Sequence, residues 1–100
     1  MKHEIIAARL QELGHSTRLN IFRRLIKAAP HGLSVGDLQR KLDVPASTLS
    51  HHLTRLRTVG LITQHRSGVQ LTCQPQIKAL IEVIDYLQEE CCGGDSCRDI

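Results

Sequence analysis

The sequence predicts a mainly α domain with one β-hairpin wing, built as a winged helix-turn-helix and paired as a homodimer. Three observations carry that expectation. Between Ser34 and Gly60 a short helical run, a brief turn at "DVP" and a second helical run follow one another. Two strand-like segments around Ser67-Gly68 come directly after them. The last helical run carries more apolar surface than one small domain can cover.

Each element has its own signals. Residues 4–13 place Ile6, Leu10 and Leu13 at helical spacing, and "GHSTR" separates them from a second periodic run at Leu19, Phe22, Leu25, Ile26 and Ala29. "APHG" ends that run. Ser34 is the expected N-cap of "SVGDLQRKL", with Asp37 at the third helical position, where a carboxylate favours the first turn. "ASTLSHHLTRLRTVG" follows the "DVP" turn and stops at Gly60. "LITQHRSGVQLTC" suits a hairpin closed at Ser67-Gly68. The final helix begins near Pro75 and is periodic to Glu90. At about 100° per residue, Ile77, Leu80, Ile81, Val83, Ile84 and Leu87 cover nearly half its circumference. Packing on the same helix of a second subunit accounts for that width, with the first helix as a second contributor. A fully buried helix in a monomer is the alternative, and it fits a short chain less well.

Composition narrows the class. A chain of 100 residues with 41% hydrophobic content supports one domain with a thin core. No apolar run approaches the roughly 20 residues that cross a bilayer, and the amino end lacks a signal peptide's apolar block. A cytoplasmic protein without membrane contact is expected, and in that reducing compartment clustered thiols point to metal or redox chemistry. Residues 1–60 hold ten Lys/Arg against four Asp/Glu, whereas residues 61–100 hold three against six. Such asymmetry suits a polyanion met by the first part. There is no glycine-rich cofactor loop and no evident substrate cleft, so an enzyme is not expected.

Of the helical runs, residues 46–60 are the most informative for function. With Leu49 at zero on a helical wheel, Leu53 and Leu56 fall within about 40° and define the packed face. Ser47, His51, Thr54 and Thr58 centre the opposite face, flanked by Ser50 and Arg55. No carboxylate occurs between Pro45 and Gly60. Small hydroxyls let a backbone approach phosphates and base edges, and Arg55 and Arg57 supply positive charge. His52, at the margin of the apolar face, is expected to be a packed, hydrogen-bonded structural histidine.

"PASTLSHHLTRLRTVGLI" resembles the recognition-helix signature of the ArsR/SmtB family of winged-helix repressors, and "HSTRLNIFRRL" resembles that family's second helix. The similarity runs from about residue 8 to residue 88. It implies a homodimer on double-stranded operator DNA that blocks transcription until an inducer binds. The resemblance also implies DNA contacts at Ser47, Thr48, Ser50, His51 and Arg55, with Arg66 of the wing in the neighbouring minor groove; a solvated loop arginine is the alternative for Arg66. Two family inducer sites are absent. "SVGDLQRKL" lacks a Cys-x-Cys, and no histidine accompanies Asp85 on the last helix.

The tail "CCGGDSC" remains. It places Cys91, Cys92 and Cys97 together, and Gly93-Gly94 lets the chain turn back so that the three can meet. The motif resembles that of arsenic-responsive family members with cysteines after the last helix. Three thiols suit As(III) or Sb(III) in a trigonal pyramid, whereas zinc prefers a fourth ligand such as Cys73, a histidine or water. Cadmium, lead and copper(I) are chemically possible too. Cys73, in phase with Val69 and Leu71, is expected to be a buried small hydrophobe. Redox sensing by a disulfide among the same cysteines is the rival. Against it, Glu89, Glu90 and Asp95 surround thiols at a helix C-terminus, which favours the protonated form. Arsenous acid needs no standing thiolate, because it condenses with thiols and loses water. The expected division is residues 1–90 for DNA binding and dimerisation and residues 91–100 for the inducer-binding tail.

Overall fold

The computed structural model describes residues 2–91. Helices α1 (Lys2–Leu13) and α2 (Ser16–Lys27) lead into a two-residue strand β1 (Leu33–Ser34), then α3 (Val35–Leu42) and α4 (Ala46–Thr58). Strands β2 (Ile62–Ser67) and β3 (Gln70–Pro75) form the wing, and α5 (Ile77–Gln88) closes the described chain. The sheet order is β1-β3-β2, antiparallel throughout. This is the winged helix-turn-helix that the sequence predicts.

Local chemistry sets the boundaries. Ser34 Oγ accepts a hydrogen bond from the Asp37 amide at 3.0 Å, and Asp37 pairs with Arg40 one turn on. Asp43 enters the left-handed region at φ 52°, ending α3, and Pro45 cannot donate a backbone hydrogen bond, so α4 starts anew at Ala46. At the far end of α4 the Gly60 amide donates to Arg57 O (3.0 Å) and the Leu61 amide to Leu56 O (3.1 Å), with Gly60 at φ 80°. That is a Schellman stop, and the buried pair Leu56 and Leu61 supplies its apolar contact.

Leu49, Leu53 and Leu56 are at most 2% exposed, packed with Ile21, Phe22, Leu25, Leu38, Leu61 and Ile62. Burial of each α4 leucine contributes roughly 1.5–3 kcal/mol, which fixes the rotation of α4 about its axis. Cys73 is fully buried on β3, as its strand phase predicts.

Several details differ from the sequence reading. The hairpin loop is Gly68-Val69, because Ser67 pairs with Gln70; Gly68 alone takes a positive φ (62°), the pattern of a type II′ turn. Val69 therefore lies in the loop, fully exposed, not on a strand face. Leu10 and Leu19 are exposed, since their helices bury narrower stripes centred on Ile6 and on Ile21, Phe22 and Leu25. Helix α5 ends at Gln88, two residues before the expected stop. Strand β1 was not foreseen; two residues are too few to show alternation, and their pairing partner lies some forty positions away.

Ile77, Ile81, Ile84 and Leu87 line one exposed stripe of α5, with Ile5 of α1 also exposed. Buried Ala79 and Val83 face the domain instead. Helix α1 is tied to α5 by polar contacts: Arg9 to Glu82 (2.8 Å), Lys2 to Glu89 (3.8 Å), and His3 Nδ1 to the Tyr86 hydroxyl (2.5 Å).

Gly32 is a required glycine. Its φ is +80°, and a Cβ there would lie 1.9 Å from Cys73 O, where β1 meets β3. Gly32→Ala should lower stability by at least about 2 kcal/mol in urea unfolding, since it combines a strained φ with a backbone collision.

Candidate nucleic-acid interface

Burial of the leucine stripe presents Ser47, Thr48, Ser50, His51, Thr54 and Thr58 to solvent along α4. Ser47 and Thr48 lie in the first turn of α4. Arg66 is exposed on β2 opposite Leu71, one residue before the end of the strand. Arg57 Nη1 donates to Gln64 Oε1 at 2.7 Å, which ties the end of α4 to the wing. Five of the residues expected to touch DNA are thus gathered on one helix and its edge, and Arg66 stands on the adjacent wing.

Arg55 is less free than the sequence suggests. Its Nε and Nη2 donate to Glu12 Oε1 and Oε2 at 2.7 and 3.0 Å, a two-pronged pair between α1 and α4. The Glu12 side chain is only 9% exposed, against 41% for Arg55. Arg18 flanks the same carboxylate at 3.3 Å, donates to the Glu12 carbonyl at 2.8 Å, and lies 3.1 Å from His52 Nδ1. Hydrogen bonding from Arg55 holds the Glu12 carboxyl below its ordinary range, against the opposing effect of burial, and the same bond raises the already high pKa of Arg55.

His52 is buried beside His15, with ring centroids 4.8 Å apart, and the exposed His51 ring lies 5.9 Å from it, tilted by 54°. An arginine always donates, so His52 Nδ1 is the acceptor in their bond and the ring is neutral with its proton on Nε2. Burial first, then the adjoining His15 ring and the Arg18 guanidinium, hold its pKa down. This is the packed, hydrogen-bonded histidine that the sequence predicts. Glu12 and Arg18 were missed. The available signal was Arg18, which shares the α2 stripe of Ile21, Phe22 and Leu25 and therefore requires a buried acceptor.

Of the tail cysteines, Cys91 is partly buried just beyond the turn that ends α5, and it is disulfide-bonded. Cys92 and Cys97 lie outside the described residues. Among the described residues no cluster of three His, Cys, Asp or Glu side chains is placed to hold a metal ion. Burial pushes the Cys73 thiol up, and Gln64 Nε2 lies 3.5 Å from its sulfur. No helix among the described residues is long and apolar enough to cross a membrane.

An exposed, carboxylate-free helix seated behind a short turn and beside a hairpin defines a winged helix-turn-helix of the DNA-binding regulator class, and residues 13–65 match the family described as a helix-turn-helix domain. The chain is 33% identical over 89 residues to the HTH-type transcriptional regulator YgaV of Escherichia coli, covering 89% of this chain and 88% of that one. It is also 33% identical over 81 residues to a Halobacterium salinarum protein named for an arsenical resistance operon repressor, ArsR2, covering 79% and 67%. An ArsR-like transcriptional regulator from Rhodococcus sp. RHA1 shares the fold, with a TM-score of 0.76 at 21% identity over 87% of this chain and 79% of that one. The chain belongs to the ArsR/SmtB family of winged-helix transcriptional regulators.

A proton on His52 would oppose both its burial and Arg18. The unfolded chain takes up that proton near the ordinary value of 6.5, and the folded chain only at lower pH. The stability from neutral His52 is therefore complete above pH 6.5 and is lost as pH falls through the lowered folded value. Melting temperature between pH 7.5 and pH 5.5 should consequently fall less steeply in His52→Gln than in the parent. Equal slopes would mean that His52 takes no part in the acid response.

Proposed function

We propose that this chain is a cytoplasmic, dimeric transcriptional repressor that occupies a two-fold operator and leaves it when As(III) or Sb(III) binds the thiols of Cys91, Cys92 and Cys97. The observation that carries the DNA-binding part is the exposed face of α4, with its hydroxyls, His51 and no carboxylate. In the complex Ser47, Thr48, Ser50 and His51 meet base edges and phosphates in the major groove, Arg55 meets a phosphate, and Arg66 reaches the minor groove from the wing. The exposed stripe Ile77, Ile81 and Ile84 supports pairing through α5, because an apolar strip of that length on a lone domain is uncovered surface. Residues 1–90 would then bind DNA and dimerise, and residues 91–100 would hold the inducer.

The three closely spaced cysteines and the relative named for arsenical resistance support the metalloid. Condensation of arsenous acid with three thiols forms three As–S bonds and releases three molecules of water. Because the tail continues from α5, gathering three sulfurs around one ion alters the last turn of the dimer helix and with it the separation of the two reading helices. Half-sites about 34–36 Å apart tolerate little error in that separation. A second reading follows from the disulfide at Cys91: oxidation of the same cysteines could itself be the signal. Only the reduced form has thiols to offer arsenic, so the two readings differ in which redox state responds.

Ser50→Ala or His51→Ala should lower discrimination among duplexes by about 1–3 kcal/mol for each lost base contact, as measured by competition binding. Unchanged preference in both variants would remove α4 from the groove.

Arsenite added to the reduced protein in a gel shift should release DNA, with a loss of roughly five- to 150-fold in affinity. Cys97→Ser and Cys92→Ser should bind like the parent and stay bound. Release by an oxidant with no effect of arsenite would favour the redox reading; release by arsenite in both variants would place the sensor elsewhere.

A further inference from the structure

We propose that Glu12 is a specificity-determining residue: its carboxylate holds Arg55 as a phosphate would, and Arg55 is handed to DNA only where a phosphate is fixed in position to replace it. This rests on the reading of α4 as the DNA-binding helix and adds a competitor for one of its cations.

The geometry supplies both halves of such an exchange. Glu12 uses both carboxylate oxygens on the Arg55 fork, at 2.7 and 3.0 Å, the arrangement a guanidinium adopts toward a phosphate. Arg55 lies at the edge of the reading face with 41% of its side chain exposed, so its guanidinium can be approached from solvent. Glu12 would not be stranded by that departure. Arg18 stands 3.3 Å from the same carboxylate, itself only 11% exposed, and is fastened to the Glu12 carbonyl and to His52. A buried carboxylate that lost its sole cation would incur a large penalty; one that keeps a second, fixed guanidinium does not.

Charge around the pair favours transfer. Arg18 and Arg55 share one carboxylate, so the group carries an excess positive charge. An arriving phosphate neutralises that excess. On DNA of random sequence the protein is held loosely through whichever phosphates are near, and no oxygen is positioned to displace a two-pronged carboxylate. Arg55 then stays on Glu12 and adds nothing to non-specific affinity. When Ser50 and His51 dock against base edges, the register of the backbone is fixed and the exchange becomes favourable. Glu12 thereby suppresses binding to random DNA more than binding to the operator.

The test uses two duplexes: one enriched from a randomised pool by the parent protein, and one of random sequence. Affinity is measured against salt concentration for the parent, Glu12→Gln, Glu12→Gln/Arg55→Gln and Arg55→Lys. Glu12→Gln frees Arg55 for phosphates, so the log–log salt slope on the random duplex should steepen by about 0.9 per bound subunit. The selected-to-random affinity ratio should fall, and the double variant should return the random slope to the parental one. Arg55→Lys keeps the charge but loses the fork, so it should steepen the random slope as well, and it serves where Glu12→Gln does not fold. A parental slope in the folded Glu12 variant, or in Arg55→Lys where the Glu12 variant does not fold, would overturn the proposal, as would a double variant that stays steep. Failure of the underlying reading looks different: the parent then shows no salt-dependent binding to either duplex. If Ser50→Ala still weakens the selected duplex while these slopes do not move, the Glu12 inference alone falls.

Discussion

The rotation of α4 about its own axis is the constraint on which the rest depends. Leu49, Leu53 and Leu56 are buried together, and any turn of the helix that exposed one of them would give up part of that burial. Everything polar on the helix is positioned by this choice: Ser47, Ser50, His51 and Thr54 outward, His52 inward, Arg55 to the side. The Schellman stop at Gly60 and the Arg57–Gln64 bond then place the wing relative to the same face.

A second layer of polar contacts locks the helix from behind. Glu12 and Arg18 are buried charges, costly without partners, and their partners are Arg55 and His52 on α4. One turn earlier on α1, Arg9 donates to the Val59 carbonyl at the end of α4 (3.0 Å) and to Glu82 of α5. Helix α1 therefore joins α4 to the helix that leads into the cysteine tail. Arg9 thus links the middle of α5 to the carbonyl just beyond α4, and Lys2 pairs with Glu89 past the end of α5.

Much of this was legible in the sequence because it follows from local pattern. Periodicity located α1, α2 and α5, Ser34 and Asp37 announced the start of α3, Gly60 the end of α4, and the wheel around Leu49 separated its buried face from its exposed one. The excess apolar width of α5 is visible as the exposed stripe at Ile77, Ile81 and Ile84. What was not legible depends on distant partners. Strand β1 exists only through its pairing with β3, and the environment of Arg55 is set by Glu12, 43 positions away. Val69 illustrates a different limit: its apolar side chain suits a strand, but the two-residue turn required by the register places it in the loop. Cys92 and Cys97 carry the proposed chemistry through spacing alone.

The central claim is that the face of α4 set by its buried leucines is the surface that meets DNA. Amide chemical-shift mapping of the isotope-labelled protein, titrated with a duplex selected by it, tests this most directly. The account predicts that the largest changes fall at residues 46–55 and around the wing tip at residues 65–69, with the exposed face of α5 little altered. Changes concentrated on α5 or on α2, with α4 unmoved, would contradict it.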